Sequence, residues 1–437
     1  MESKGISPFT LDTTLVDKQP KKRACSRATR TSISRKTFDL KEQCEIKDRP
    51  YIKDLYYTLC KSKRLVVVVG AGISVQAGIP DFRSSDGVFN TVKRSFNLKG
   101  SGQSMFDSSV YRDAGSTSMF HSMVNTLHSI SSTSLATKFH HMLSKISTEK
   151  RLLRLYTQNV DCLELSLTGL STAVPLPPKG PWPKTIQLHG GLKTMVCAKC
   201  GWMGPFDPSV FEQTGSSECI ECRELDDVRA VVGKRKQGIG RLRPRIVLYN
   251  EFNPDGEAIG SVTAADLRSR PDALLVVGTS LKVPGVRRIV KEMAEAVHLT
   301  GGQVIWMNEE EPPAIKMLEN SFDLVLKGDC QNIPDLIAQY QEHLQDEKSR
   351  RPKKRPKSEK NADGLQQLQH ITTSSAQFAP KIEANNLSNM FKVTKKAASV
   401  PQSPAKPMKI GFNDKDDNSD NSDEHKPVNV YLKTEDR

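Results

Sequence analysis

The chain has 437 residues, which is enough for a large hydrophobic core and, by length alone, for two or three domains. Hydrophobic residues make up only 37% of it, so we expect part of the chain to be disordered. The net charge of +14 favours polyanionic surroundings such as nucleic acid. The N-terminus is polar and basic, and no apolar run approaches the length of a membrane span. We therefore expect a soluble, intracellular protein with no membrane partner.

Residues 1–44 are rich in Lys, Arg, Ser and Thr and show no apolar periodicity, which predicts a disordered basic arm. Basic groups such as Lys21-Lys22-Arg23 are typical of a solvated tail, and they are also typical of a nuclear localisation signal or a nucleic-acid contact. These interpretations are compatible, and we expect the protein to be nuclear.

Residues 346–437 form a second polar stretch, with a basic run at 350–357 and an acidic patch at 414–424. Such a segment cannot bury enough apolar surface to offset the entropy lost on ordering. It is predicted to be a disordered tail.

The middle of the chain, residues 45–345, has seven short apolar runs separated by longer, partly amphipathic stretches. The runs are continuous rather than alternating, which is typical of strands buried on both faces of a parallel sheet. They lie at 65–69, 152–156, 185–188, 246–249, 273–277, 303–307 and 323–326. Alternation of strands and helices predicts a doubly wound, Rossmann-like α/β fold. Polar residues follow nearly every run, so we expect one composite site at the carboxyl ends of the strands.

The motif Gly70-Ala71-Gly72 follows the first of these runs and is predicted to open a helix. Glycines let the backbone approach a pyrophosphate, whose charge the N–H groups at a helix start can bind. The spacing departs from the ordinary dinucleotide fingerprint, since Val75 stands where its third glycine belongs. A tight strand-to-helix turn is the alternative. Asp81-Phe82-Arg83, which places an acid, an aromatic ring and a guanidinium beside the loop, favours a binding role.

Four cysteines stand as two C-x-x-C pairs separated by 18 residues: Cys197, Cys200, Cys219 and Cys222. This spacing is typical of zinc sites, and four thiolates leave no open position, so the zinc should be structural. Unligated thiols or a redox dithiol are the alternatives, and neither pair opens a thioredoxin-like unit. We expect a small zinc ribbon at about 191–243, inserted in the main domain.

Taken in order, the motifs of residues 60–335 resemble the sirtuin family, the NAD-dependent protein deacylases. The matching segments are Gly70-Ala71-Gly72-Ile73-Ser74, Gly78-Ile79-Pro80-Asp81-Phe82-Arg83, Thr157-Gln158-Asn159-Val160-Asp161, Leu188-His189-Gly190, the four cysteines and Val277-Gly278-Thr279-Ser280. The basic arm, the tail and residues 243–251 look closest to a fungal nuclear branch, which deacetylates a lysine in the globular core of histone H3. The resemblance also implies a helical module beside the main sheet, a role in chromatin silencing and genome stability, and acetylated histone in the nucleosome as partner.

The resemblance implies a role for each matched residue. Gly70, Ala71 and Gly72 would hold the NAD pyrophosphate, with Asp81 and Arg83 nearby. The other cofactor contacts would be Ile79, Asn159 and Asp161 around the nicotinamide, Phe82 at the reactive sugar carbon, Gln158 at its ribose, and Gly278, Thr279, Ser280, Asn308 and Cys330 at the adenosine half. The catalytic set would be His189, Asn159 and Asp161, with His189 as the general base. The segments at 246–249 and 283–285 would bind the substrate backbone.

Each of these roles has an alternative. A histidine after a strand is often structural, Asp161 suits a helix cap, and Cys330 suits a small buried apolar residue. Two departures leave the acyl and peptide preferences open: Tyr249-Asn250 replaces the family's usual Phe-Gly, and Cys162 stands where glycine is usual. The expected activity is NAD-dependent removal of acetyl groups from lysine, giving nicotinamide, O-acetyl-ADP-ribose and free lysine. The alternatives are mono-ADP-ribosyl transfer, removal of longer acyl groups, or a non-catalytic NAD-binding chromatin scaffold.

Overall fold

A computed structural model describes residues 35–41, 45–46, 49–84, 87–95, 102–212 and 216–350. All of them belong to one unit of the chain, Met1–Lys354. The strands in this part are, in chain order, β1 Lys36–Asp39, β2 Leu65–Val69, β3 Leu152–Thr157, β4 Thr185–Gln187, β5 Gly190–Cys197, β6 Met203–Pro205, β7 Leu242–Ile246, β8 Ala273–Val277, β9 Gln303–Asn308 and β10 Leu324–Lys327. The α-helices are α1 Ile52–Cys60, α2 Val88–Ser95, α3 Ala114–Thr133, α4 Lys138–Thr148, α5 Ile220–Val231, α6 Gly256–Arg268, α7 Pro284–Leu299 and α8 Asn332–Arg350.

Seven strands form a parallel sheet in the order β1-β10-β9-β8-β2-β3-β4. Strands β2 and β8 lie at its centre, and all of their residues are buried. Within β2, Val67 and Val69 pack into a core with α1, α4 and α8, whereas Val66 and Val68 pack into a second core with α6 and α7. Helices therefore cover both faces, and each fully buried valine contributes about 1.5–3 kcal/mol of transfer free energy. The doubly wound α/β fold expected from the sequence is confirmed.

A second, antiparallel sheet of order β6-β5-β7 carries the cysteine pairs together with α5. A third core joins this sheet to α2 and α3, with Phe120, Met195, Phe206 and Leu242 buried in it. The small inserted module and the helical module are both present. They pack against each other beside the parallel sheet.

The apolar run at 246–249 was predicted to be a strand of the parallel sheet, and this is wrong. Strand β7 ends at Ile246 and pairs antiparallel with β5, and the residues after it line a cleft. An apolar run shows burial, but it does not show which sheet the strand joins.

The folded region begins earlier and ends later in the chain than predicted. Strand β1 lies inside the segment predicted to be a basic arm and pairs with β10, so the arm does not extend to residue 44. Helix α8 continues to Arg350, past the predicted boundary at 345. The rest of the arm and of the tail lies outside the described residues. None of the described helices is long and apolar enough to cross a membrane.

Candidate active site and zinc centre

A cleft of about 1080 Å³ opens at the carboxyl ends of β2, β3, β8, β9 and β10. It is where the ligand of an open α/β sheet is expected, because the loops that follow parallel strands meet at that edge. The cleft brings together most of the residues that the resemblance marks for NAD and catalysis. They are Gly70, Ala71, Gly72, Asp81, Phe82, Arg83, Gln158, His189, Gly278, Thr279, Ser280, Asn308 and Cys330.

The glycine loop forms two short 3₁₀ turns, Ala71–Ile73 and Val75–Ala77, so the helix predicted after it is absent. The N–H of Gly72 donates to the carbonyl oxygen of Gly278 at 2.9 Å. A Cβ on Gly72 would lie 2.7 Å from the Gly278 Cα, which is closer than real side chains allow. The loops after β2 and β8 are therefore in direct backbone contact, and only glycine permits it.

His189 follows β4 and is half-buried in the cleft wall. Its Nδ1 lies 3.1 Å from the carbonyl oxygen of Gln158. Because a carbonyl only accepts hydrogen bonds, Nδ1 must carry the proton and Nε2 of the neutral ring keeps its lone pair. Burial lowers the pKa of His189, and the hydrogen bond to Gln158 opposes that shift less strongly. The ring is thus held neutral, in the tautomer that a general base requires.

Gln158 occupies the junction between the two central loops. Its side-chain Nε2 donates to the hydroxyl of Thr279 at 2.9 Å and to the Val69 carbonyl oxygen at 3.2 Å. The same residue that orients His189 through its backbone therefore joins the loops after β2 and β8 through its side chain.

The four cysteines form a compact cluster in which every sulfur lies within 4.8 Å of the others. The sulfur atoms of Cys197 and Cys222, and those of Cys200 and Cys219, are 3.8 Å apart. This separation fits a tetrahedral zinc site, because Zn–S bonds of about 2.3 Å give an edge of about 3.8 Å. The backbone N–H groups of Lys199 and Cys200 point to the Cys197 sulfur, which suits a thiolate. The cluster is suited to one structural zinc ion, as expected from the spacing.

The Sir2 family model matches residues 70–285. "NAD-dependent protein deacetylase hst4" of Schizosaccharomyces pombe is 45% identical over 342 residues, covering 77% of this chain and 80% of that protein. The chain belongs to the Sir2 family. "NAD-dependent histone deacetylase HST4" of Saccharomyces cerevisiae is 45% identical, covering 64% of this chain and 77% of that protein. "NAD-dependent protein deacetylase hst4" of Emericella nidulans is 51% identical over 66% of this chain. The match spans about half (48%) of the length of that relative.

The cleft lining lacks three residues of this Sir2-family chain. They are the residues that the resemblance places around the nicotinamide. Ile79, Asn159 and Asp161 are all buried behind the cleft wall. Asn159 donates from Nδ2 to the Ser74 hydroxyl at 3.3 Å, and its Oδ1 is buried without a partner among the described residues. A buried amide oxygen without a hydrogen bond lowers the stability of the fold. Asn159 Oδ1 can therefore accept a further hydrogen bond. Because this oxygen is closed off from the cleft, the carboxamide N–H of a nicotinamide could reach it only if the wall between them opened.

Ser74 is a residue of this site to which sequence analysis gave no role, although it lies within the glycine motif. It is fully buried, and its hydroxyl serves both Asn159 and Asp161. Burial raises the pKa of Asp161, whose Oδ1 also accepts the N–H of Leu163 at 3.0 Å. This contact spans two residues and precedes the 3₁₀ turn Leu163–Ser166, whose N-cap is Cys162, so Asp161 is not the helix cap that was the alternative to its catalytic role.

Glu164 was also missed. It is buried next to Asp161, and burial together with the Asp161 charge raises the pKa of Glu164 to about 8. Two buried carboxyl groups this close disfavour each other's ionisation, so the pair favours a state in which it shares at least one proton. Only the fold brings this acid behind the cleft, because its sequence context is that of an ordinary polar turn.

Proposed function

We propose that this chain is an NAD-dependent protein-lysine deacetylase that acts on acetylated histones in the nucleus. The observation that carries the proposal is the His189–Gln158 hydrogen bond inside the cleft, which prepares an imidazole to accept a proton. The names of the relatives, NAD-dependent protein and histone deacetylases, support the activity and the substrate class.

The residues of the cleft fit NAD as the co-substrate. Gly70, Ala71 and Gly72 line the cleft, where their backbone could approach a pyrophosphate, and Thr279 and Asn308 offer polar groups for the adenosine half. The partnerless Oδ1 of Asn159 would suit the carboxamide of the nicotinamide once the wall that separates it from the cleft opens. When bound, NAD supplies a scissile sugar bond and accepts the acetyl group, which leaves as O-acetyl-ADP-ribose.

His189 contributes the proton transfer. Its Nε2, free because Nδ1 donates to Gln158, takes a proton from a ribose hydroxyl so that the oxygen can attack the acetyl carbon. Burial lowers the pKa of the ring, which favours its neutral form, and Phe82, which also lines the cleft, would limit the access of water to the sugar.

The finer target is an acetylated lysine in the globular core of histone H3, with a role in chromatin silencing and genome stability. Removal of longer acyl groups and mono-ADP-ribosyl transfer are the enzymatic alternatives. The experiment is incubation with NAD and acetylated, longer-acylated or unmodified histones, followed by mass spectrometry and by measurement of released nicotinamide. Nicotinamide released in proportion to lost acetyl supports the proposal. ADP-ribose found on unmodified histone would favour the transferase.

A non-catalytic scaffold would bind NAD and histone without turnover. The intact His189, Asn159 and Asp161 argue against it. Complete absence of nicotinamide release from every acylated histone would favour it.

A further inference from the structure

The small module that carries the four cysteines has an exposed apolar helix surface. In the described part of the chain, eleven large apolar side chains are exposed, and five of them lie on α5 or on the residue directly after it. Apolar side chains gathered in this way on a soluble protein mark a surface that a partner covers. We call this surface the α5 face, and its members are Ile220, Leu225, Val228, Val231 and Val232.

The members of the α5 face lie on one side of the helix. Leu225, Val228 and Val232 follow one another at intervals of three and four residues, which is the spacing of a single helix face. Cys222 and Asp226 lie on the opposite side and are buried in the module. The helix therefore presents apolar side chains to solvent, on the side that a surface helix ordinarily keeps polar.

The α5 face is acidic at one end and basic at the other. Glu221 and Glu224 are exposed in the first half of the helix, and Lys234, Arg235 and Lys236 are exposed in the turn after it. Within the described ranges, none of these five side chains forms an ion pair. The helix dipole favours this order of charges, but it gives no reason for the apolar side chains between the two ends.

The basic turn is held in place against α5. The carboxylate of Asp226 accepts the N–H groups of Gln237 at 2.7 Å and of Gly238 at 2.8 Å. The N–H of Lys234 donates to the Arg229 carbonyl oxygen at 2.8 Å. The charged and apolar parts of the surface therefore keep fixed relative positions, so binding to it costs little ordering entropy.

The pattern on the α5 face is complementary to itself. If two copies of α5 lie antiparallel about a two-fold axis near Val228, Leu225 of one copy lies opposite Val232 of the other. The same register brings the acidic end of each helix to the basic turn of the other copy. A parallel arrangement would instead place like charges together.

We propose that the α5 face binds a second copy of this chain, with the two α5 helices antiparallel and their apolar side chains buried between them. Each copy then presents the same surface to the other, which closes the assembly as a dimer. One helix face is smaller than the roughly 800 Å² per partner of a standard interface, so the dimer should dissociate on dilution. An unrelated protein would have to supply the same order of charges, which a second copy already has.

The first test measures the oligomeric state of the zinc-loaded full-length protein by sedimentation velocity. At up to about 100 μM the wild-type protein should form a concentration-dependent dimer. Val228→Asp enters each dimer twice, so it should raise the dissociation constant about 100-fold, or about tenfold for each copy. Leu299→Asp places the same charge on an exposed apolar side chain at the end of α7 and should leave the dissociation constant unchanged.

A charge exchange tests the antiparallel arrangement. One variant carries Glu221→Lys and Glu224→Lys, and the other carries Lys234→Glu and Lys236→Glu. Each variant alone would bring like charges together and should dimerise at least about tenfold more weakly than the wild-type protein. An equimolar mixture restores opposite charges at both ends of the interface and should recover the wild-type dissociation constant.

Bound zinc and circular dichroism of every variant show whether the module is folded. Val231→Ser, which adds no charge, replaces Val228→Asp if that variant loses zinc, and it should also weaken the dimer. A wild-type protein that stays monomeric at about 100 μM would overturn the inference and leave the α5 face to a different partner. An undiminished dimer in the α5 variants would overturn it as well, and so would a mixture of the charge variants that fails to associate.

Discussion

The carbonyl oxygen of Gln158 lies 3.1 Å from Nδ1 of His189, and this contact fixes which ring nitrogen carries the proton. Burial at the same time lowers the pKa of the ring from its ordinary 6.5. The tautomer and the charge state of the proposed base are therefore set by the fold before any ligand binds.

The pH dependence of turnover should report this base. Since the neutral ring is the active form, kcat/KM for deacetylation should be flat at neutral pH and fall as the pH drops through a value below 6.5. The free energy of unfolding should change in the same direction as the activity. Because the pKa of His189 is lower in the folded protein than in the unfolded chain, His189 destabilises the fold as the pH falls. A pH profile of kcat/KM checks this. A limb with an apparent pKa above 6.5 would contradict it.

His189→Ala should lower kcat by about 10²–10⁴-fold, the usual contribution of a general base. His141→Ala, on the exposed face of α4, is the matched control and should leave kcat unchanged. Steady-state kinetics with an acetylated histone peptide measure both. Equal activity of the two variants would remove His189 from the mechanism.

A buried ion pair supports the strand that leads to the site. Both nitrogens of the Arg154 fork donate to Asp266 at 2.8 Å, and the Tyr156 hydroxyl donates to the same carboxylate at 2.7 Å. Asp266→Ala leaves the buried guanidinium without its counter-ion, although Nη1 still donates to the Pro183 carbonyl oxygen, and should cost about 3–5 kcal/mol of unfolding free energy. The exposed pair of Lys138 and Asp335 is the comparison, and Asp335→Ala should cost about 0–1 kcal/mol. Urea unfolding measures both, and similar losses would show that burial does not decide the difference.

Zinc should be required for the small module. Cys197→Ala removes a buried ligand and should abolish stoichiometric zinc and unfold the antiparallel sheet, because metal binding and folding are coupled. Cys60→Ala, outside the cluster, should retain one zinc per chain. Elemental analysis and circular dichroism of the purified variants provide the measurement. A stable, zinc-free Cys197→Ala protein would refute the structural assignment.

Asn250 adopts a left-handed backbone conformation, with φ of +59°, a region that glycine enters without steric cost. Its Nδ2 donates to Asp107 at 2.5 Å, which ties the substrate segment to the start of the turn Ser108–Arg112. Both Asn250→Gly and Asn250→Ala lose this bond, but glycine also removes the Cβ from the left-handed conformation, whereas alanine keeps it there at a cost of roughly 1–2 kcal/mol. We expect the alanine variant to be less stable than the glycine variant by about 1 kcal/mol. Thermal melting distinguishes them, and the reverse order would contradict the conformational argument.

The features that sequence analysis predicted correctly are local. Five consecutive buried residues in β2 and the spacing of the four cysteines each require only a short stretch of chain, and both are found in the structure. Strand β1 was missed because it is a short edge strand with two exposed residues in a basic segment. Its pairing with β10 depends on residues almost 300 positions away, which no local pattern shows.

The candidate site shows the same contrast between local features, which the sequence predicts, and contacts between distant segments, which it does not. The motifs named Gln158 and His189, but the hydrogen bond from the His189 ring to the Gln158 carbonyl oxygen forms only when the ends of β3 and β4 lie side by side. Glu164 and the Arg83–Tyr249 bond were not foreseen, because the burial of Glu164 beside Asp161 depends on the fold and the Arg83–Tyr249 bond joins residues 166 positions apart. The sequence therefore predicted most of the residues that line the cleft, but it did not predict the contacts that each of them makes.

The most direct test of the proposed mechanism is an experimental structure with NAD and an acetyl-lysine peptide bound together. We expect the Nε2 atom of His189 to lie within hydrogen-bond distance of a hydroxyl of the nicotinamide ribose, with the acetyl group on the same side of the sugar. A dinucleotide whose nicotinamide ribose lies at the opposite end of the cleft, out of reach of His189, would contradict the proposed role of this histidine.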